Sequence, residues 1–339
     1  CIHRFLLYSV RYTSQYSMPP AARQFAPEEF VFLGEQSENE VLRLRYAHEA
    51  TGLEVECSFQ VNEKAGVLRQ TNKITNRGKK PVTITHFSSG LLNGIALRLI
   101  RGASCGAKLH YIRQNWEGEG QVKTLSVEEA GIECVSTHSV TGAFHLSSKG
   151  AYTTGRYYPQ MFLEDAQGKF WFIGIEADAN WHLECGYLAD YPSDPKGEGF
   201  YLEADELSLR HNDSWHTLAP GESRICSPAY FGCGQGWDEV SEDLTAFRRA
   251  NAVIAPKAPL VFNDYMDCLW GDPFEERVLP LIDRAAELGA EVYCTDAGWY
   301  CFGSWGDVLG DWEPADSRYG ARKFAGVLSY IRGKGMLPG

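Results

Sequence analysis

The sequence holds no unbroken apolar run of the roughly 20 residues that cross a bilayer. Its N-terminal Phe5-Leu6-Leu7 patch is too short for the apolar core of a signal peptide. Both absences argue against a membrane partner. Basic residues are in the minority, 32 Lys and Arg against 44 Asp and Glu for a net charge of -12, and no Lys/Arg-rich run gathers them. A polyanion needs a basic face, so nucleic acid is excluded as a partner too. Among ten cysteines there is no Cys-x-x-Cys pair. Close thiol pairs mark zinc sites and redox motifs, so the sequence predicts buried, reduced thiols and a cytoplasmic setting. His211 and His216 are too far apart for a tight helical zinc pair, and no metal is expected. The string Gly232-x-Gly234-x-Gly236 lacks the third spacing of a dinucleotide fingerprint and follows an antiparallel pattern, so no cofactor is expected either. Those glycines predict a helix packed close to a sheet.

What is present points to a folded chain of two domains. At 339 residues the chain exceeds the length at which a single core stops growing. Aromatic residues make up 13%, with 9 Trp and 17 Tyr. Flat rings of that kind fill cores and also stack on sugar faces.

From Val41 to about Gly232, short apolar runs alternate with turn residues. Leu53, Val55, Cys57, Phe59 and Val61 recur with a period of two, with Glu54, Glu56, Ser58 and Gln60 between them. That is a strand with one wet face, and the turn Asn62 to Gly66 leads into a second strand at Val67 to Ile74. Further runs at Val82 to Phe87, Phe170 to Glu176, Trp181 to Cys185, Phe200 to Leu209 and Ile225 to Phe231 predict a large antiparallel sandwich over residues 1–237.

The texture then changes. Val240, Leu244, Phe247 and Ala250 stand at helical spacing, and Ala255-Pro256-Lys257-Ala258-Pro259 reads as a hinge, so residues 238–258 are expected to form a helical linker. Residues 259–339 read strand, helix, strand, helix, strand. Leu260 to Asn263 is the first strand. Asp272-Pro273-Phe274-Glu275 predicts a helix start with Asp272 as the cap. Phe274, Val278, Leu281, Ile282, Ala285 and Leu288 are its expected inner face, and Gly289 its stop. Val292 to Thr295 is the second strand, Phe324 to Ile331 the second helix, and Gly335 to Gly339 the start of a third strand. Repeating units of this kind build parallel barrels or doubly wound sheets.

In a (β/α)8 barrel the chemistry sits at the carboxyl ends of the strands. That rule selects Asp264 and Tyr265 after the first strand and Asp296 and Trp299 after the second. Asp311 and Trp312 lie on the acidic, aromatic loop that follows. Carboxylates beside indole rings suit a sugar cradle, because charge-assisted bonds to hydroxyls are strong and directional. Equally, Asp296 could cap a loop and Trp299 could pack inward.

Taken together, Asp296-Ala297-Gly298-Trp299, Gly310-Asp311-Trp312 and Gly335-Met336-Leu337-Pro338-Gly339 resemble the opening of the barrel in glycoside hydrolase family 36, the α-galactosidases or melibiases. His48-Glu49-Ala50-Thr51-Gly52-Leu53 and Trp215-His216-Thr217-Leu218-Ala219-Pro220-Gly221-Glu222 are similar to segments of that family's N-terminal β-supersandwich. The resemblance implies a multi-domain protein: an antiparallel β-supersandwich, a short linker helix and an incomplete (β/α)8 (TIM) barrel. It implies a retaining α-galactosidase acting on α-galactoside oligosaccharides, with Asp296 gripping sugar hydroxyls and Trp299 walling the pocket. Ala297 stands where the family has a second Asp, which leaves the sugar open between galactose and relatives such as N-acetylgalactosamine, and hydrolysis open against galactosyl transfer. The family's nucleophile and acid/base end strands four and six, so this chain is expected to be an inactive fragment with no catalytic residue of its own. The intact protein is expected to form homo-oligomers. A lectin-like sandwich is the alternative from another class.

Overall fold

The computed structural model describes residues 29–95, 106–132, 142–150, 152–188, 199–252 and 257–339. Phe5 to Leu7, Cys1, Cys105, Cys134 and the Ala255-Pro256 part of the hinge lie outside them. The chain divides into two compact units, Cys1–Ala252 and Val253–Gly339.

The first unit is built on two antiparallel sheets. Among the described residues, ten strands make the larger: β1(Val31–Glu38), β2(Val41–His48), β3(Leu53–Asn62), β4(Val67–Asn76), β7(Lys108–Arg113), β8(Gln121–Ser126), β10(Tyr157–Glu164), β11(Lys169–Ile175), β15(Ser223–Ile225) and β16(Ala229–Gln235). Their order is β1-β2-β3-β4-β16-β11-β10-β7-β8, with β15 also on β4. The smaller sheet runs β6-β13-β12-β9, from β6(His86–Ile95), β13(Gly199–Ser208), β12(Trp181–Leu188) and β9(Ala143–Ser148). Between the two sheets lies a core of Leu109, Met161, Leu163, Ile173, Trp181, Leu183, Cys185, Phe200, Leu202 and neighbours.

The expected hairpin at Asn62 to Gly66 is present, with β3 and β4 paired from Leu53↔Asn76 to Asn62↔Val67. The run Val82 to Phe87, read as one strand, is two. β5(Val82–Ile84) pairs with β14(His216–Leu218), whereas His86 begins β6 in the smaller sheet. The chain changes sheets at Thr85, whose carbonyl accepts the Leu209 amide instead. β1 and β7 to β10 carried no period that the sequence reading resolved.

The helix α1(Gly236–Asn251) belongs to the first unit. Val240, Leu244 and Phe247 pack against Phe162, Phe170, Phe172 and Tyr230 on the outer face of the larger sheet. The middle strands of that sheet are thereby buried on both faces, which accounts for their unbroken apolar runs. The expectation for the glycines holds at Gly234, where a Cβ would come within 3.2 Å of Glu239 and 3.1 Å of Val240.

The second unit carries β17(Val261–Asn263), β18(Val292–Cys294) and β19(Leu337–Pro338) in one parallel sheet with β18 in the middle. Helices α2(Glu275–Glu287) and α3(Lys323–Gly333) connect them, and α2 runs on through Pro280. Val278, Ile282 and Ala285 from α2 meet Phe324, Val327 and Ile331 from α3 over Tyr293. Two expectations fail here. Leu288 is 76% exposed: it is the cap residue just past the helix end at Glu287, next to Gly289 at φ +80, and lies beyond the stretch that packs on the core. Asp272 does not cap α2: Phe274 holds the cap position, and the Asp272 carboxylate is taken by Arg277 and Arg318 at 2.7 Å each. Among the described residues no helix is long and apolar enough to cross a membrane.

Truncating Leu183, fully buried between the sheets, is expected to cost about 2–5 kcal/mol, whereas Leu288→Ala is expected to change stability by no more than about 0.5 kcal/mol. Denaturant titration of the two variants separates core from surface.

Candidate functional site at the ends of the parallel strands

β17 and β18 run in register, with Asn263 opposite Cys294. The residues after each strand therefore emerge side by side. Asp264, only 1% exposed, accepts the Asp296 backbone amide on Oδ1 at 3.0 Å, and the Tyr293 hydroxyl donates to its Oδ2 at 3.4 Å. Burial outweighs these bonds and, with the Asp296 charge nearby, pushes the Asp264 carboxyl up to about 6. Its Tyr293 partner is likewise raised, by burial first and the Asp264 charge second. Asp264 thus acts as a buried bracket between two strand ends.

Asp296 lies in the open above it. Asn263 Nδ2 donates to Asp296 Oδ2 at 2.7 Å, while Asn263 Oδ1 accepts the Tyr265 amide at 2.9 Å. One amide side chain therefore orients both an exposed carboxylate and the start of the next turn. Tyr265 opens the turn Tyr265–Leu269 and meets Trp270 and Trp305 edge-on at 5.6 and 6.1 Å. Asn263 was named only as the end of a strand in the sequence reading, and its double role depends on a neighbour 33 residues away.

Trp299 lies flat on Phe324, 5.2 Å between centroids and 6° between planes, half-buried in the core of this unit. Trp312 is 56% exposed, with its edge on Tyr300 at 4.7 Å. Asp311 is exposed on the same loop, its amide donating to Val308 at 3.3 Å. Neither Asp311 nor Trp312 makes a hydrogen bond or ring contact with Asp296 among the described contacts. The structure joins Asn263, Asp264, Tyr265 and Asp296 in one cluster and leaves Asp311 and Trp312 on the loop. Tyr300 stands between the two groups: burial raises its hydroxyl, and Cys301, Asp296 and Tyr265 add to the effect.

Two features hold the loop. Arg318 is buried and donates to the carbonyls of Cys301 and Gly303 and to Asp272, with its guanidinium over the Phe274 ring at 4.6 Å. Gly298 sits at φ +91 against the next turn, where a Cβ would stand 2.0 Å from the Gly271 carbonyl. The glycine of the Asp-Ala-Gly-Trp string is thus required by close approach.

The string Gly102-Ala103-Ser104-Cys105-Gly106 has the spelling of a serine-hydrolase elbow. Ser104 lies outside the described residues, and the flanking strands β6 and β7 belong to antiparallel sheets, whereas an elbow turns from a strand into a helix.

No family model matches the sequence. A curated α-galactosidase of Escherichia coli is 22% identical over 255 residues, covering 67% of this chain and 34% of its own length. Among solved structures, the family 36 α-galactosidase AgaA of Geobacillus stearothermophilus superposes with a TM-score of 0.71 at 17% identity, over 91% of this chain and 43% of its own. The α-galactosidase of Lactobacillus brevis gives 0.70 at 15% identity, over 91% and 41%. The fold is that of family 36 α-galactosidases, with the sheets of the first unit matching their N-terminal sandwich. The chain spans about a third to two-fifths of the length of these relatives.

Two outcomes are expected. Gly298→Ala should destabilise the second unit by at least about 2 kcal/mol, read as faster amide exchange in β17 and β18. The raised Asp264 carboxyl binds a proton more tightly in the folded than in the unfolded chain. Its burial therefore costs nothing below about pH 4, where both states are protonated. The cost grows as pH rises to about 6 and is constant above, reaching of the order of 2–3 kcal/mol. Asp264→Asn keeps an acceptor for the Asp296 amide. It is expected to flatten that loss of stability between pH 4 and 6, measured by amide exchange of the same strands across the range.

Proposed function

We propose that this chain is part of a retaining α-galactosidase-like glycoside hydrolase, and that residues 259–339 are the first units of its (β/α)8 barrel. The observation that carries the reading is the Asp296 carboxylate, held open by Asn263 at the carboxyl end of the parallel strands. Ligands of open α/β architectures bind at that end. An exposed carboxylate with one oxygen already oriented is suited to accept sugar hydroxyls in a fixed direction. Three parallel strands with intervening helices are also more than a lectin-like sandwich requires, which favours the enzyme over the binding module.

Variants of the Geobacillus enzyme AgaA have been solved with stachyose and with raffinose. We infer α-linked galactose in oligosaccharides of that kind as the substrate class here. Ala297 supplies no second carboxylate, so the discrimination between galactose and N-acetylgalactosamine falls to groups other than this position. The nucleophile and the acid/base of a retaining glycosidase are two carboxyls about 5 Å apart. In family 36 they end strands four and six, and this chain alone is therefore without turnover. The seven described cysteines are all free thiols, which supports a reducing, cytoplasmic setting.

An aryl α-galactoside tests the reading. The 339-residue chain is expected to give no release of the aryl group above background, and the protein extended beyond Gly339 is expected to cleave it. In that longer protein Asp296→Asn is expected to lower kcat/KM about 10- to 100-fold, the value of one charge-assisted bond. Turnover by the 339-residue chain would sink the fragment reading, and an indifferent Asp296→Asn would sink the site.

A further inference from the structure

The smaller sheet of the first unit has a second face. Trp181, Leu183 and Cys185 of β12 point into the core, so His182 and Glu184 point to the other side. There they are still buried, at 1% and 2% exposure. Register brings more polar groups beside them: His182 pairs with Asp205 of β13, and Glu184 with His145 of β9. The helical turn Leu209–Asn212 that follows β13 adds His211, whose ring stacks on His182 with centroids 3.9 Å apart. The sequence reading set His211 beside His216, but His216 bonds to Glu222 at 3.0 Å.

The atoms converge. His145 Nδ1 lies 3.0 Å from His182 Nε2 and 3.2 Å from Glu184 Oε2, and the last two are 3.9 Å apart. The ligand atoms of His145, His182, Glu184 and His211 all lie within 4.8 Å of one another. Ligands at the usual zinc distances of 2.0–2.2 Å in a tetrahedron stand roughly 3.3 Å apart, and the three closest separations straddle that value. We propose that His145 Nδ1, His182 Nε2 and Glu184 Oε2, with His211 as the fourth ligand, form a binding site for one divalent transition ion of the zinc class.

The surroundings are those of a built site. Asp205 Oδ2 accepts a hydrogen bond from His182 Nδ1 at 2.8 Å, which leaves the Nε2 lone pair facing the cluster. Tyr201 donates to Glu184 Oε1 at 2.6 Å and leaves Oε2 facing the same point. Carboxylate and hydroxyl partners in these positions fix tautomer and orientation at metal centres. Asp205 Oδ1 is buried without a hydrogen-bond partner, an unbalanced negative group that a nearby cation would offset. The His145 side chain is 43% exposed, which gives an ion a way in. His211, stacked flat on His182, has to turn its ring to ligate, so three ligands are in position and the fourth is one rotation away.

Imidazole nitrogens with a carboxylate suit zinc and its neighbours rather than calcium or magnesium. The ligands come from β9, β12 and the turn after β13, so an ion would cross-link one side of the sandwich. The role is structural and independent of any glycosidase activity.

The test uses the 339-residue chain, stripped with a chelator and titrated with Zn2+ against a chromophoric competitor, with Co2+ as a spectroscopic substitute. We expect one ion per chain at micromolar Kd or tighter, a visible Co2+ spectrum of tetrahedral type, and a melting temperature raised by about 5 °C at saturation. His145→Gln, at the exposed ligand, is expected to keep the fold, weaken binding at least tenfold and abolish the thermal shift. Asp205→Asn should weaken it about 10- to 100-fold. Absence of binding, binding unchanged in both variants, or strong near-ultraviolet Co2+–thiolate absorption would overturn the proposal, the last by placing the ion on cysteines.

Discussion

The hydrogen bond from the Asp296 amide to the buried Asp264 carboxylate governs the open end of the second unit. Two parallel strands in register deliver their ends side by side, but register alone does not decide how the chain leaves them. A carboxylate buried between the strands does. It takes the second amide after β18 and the hydroxyl of Tyr293 in the middle of β18, so the exit direction is set from below. Asp296 is then turned into the open, where Asn263 holds one of its oxygens. The arrangement costs stability, since the raised Asp264 carboxyl reports net desolvation. A charged bracket under an exposed carboxylate is an expensive way to end a strand, and packing alone does not call for it.

The first unit solves a different problem. Its larger sheet meets the smaller sheet on one face and α1 on the other, so strands such as Lys169–Ile175 carry apolar groups in both directions. The smaller sheet presents its second face to polar side chains that are nonetheless buried, among them His182, Glu184, Glu203 and Asp205. Such groups are tolerated only when each is bonded. His182 bonds to Asp205, Glu184 to Tyr201 and Glu203 to His86, and the pairings are fixed by β-register: shifting β12 by one residue would send Trp181 and Leu183 outward and the imidazole inward.

Much of this architecture could be read from the residues, and the reasons for success and failure are local versus distant causes. The hairpin β3–β4 followed from a period of two and a glycine turn, both within 25 residues. The buried stripe of α3 and the carboxylate at the end of β18 followed from the same kind of short-range pattern. Asp272 failed for the opposite reason. Its sequence context was that of a helix cap, but Arg318, 46 residues on, takes the carboxylate, and a buried guanidinium outweighs a surface cap bond of about 1 kcal/mol. Val82 to Phe87 failed because a chain that changes sheets keeps its alternation while changing its partner. Trp299 stood between two readings, and flat stacking on Phe324 came from a helix whose approach no spacing could supply.

The histidine cluster marks the limit of reading by spacing. Its members are separated by 37 residues from His145 to His182 and by 23 from His182 to Asp205, intervals that match no ligand motif. Only antiparallel pairing makes them neighbours, and pairing is a property of the whole sheet. The rule that metal ligands come in close pairs holds where one turn or helix supplies them. On a sheet, the equivalent of a close pair is two residues at facing positions of adjacent strands, such as Glu184 and His145. Polar residues at alternate positions of an otherwise core-facing strand, as in Trp181-His182-Leu183-Glu184-Cys185, are therefore the signal that sequence does carry: they announce a second buried face before any partner is known.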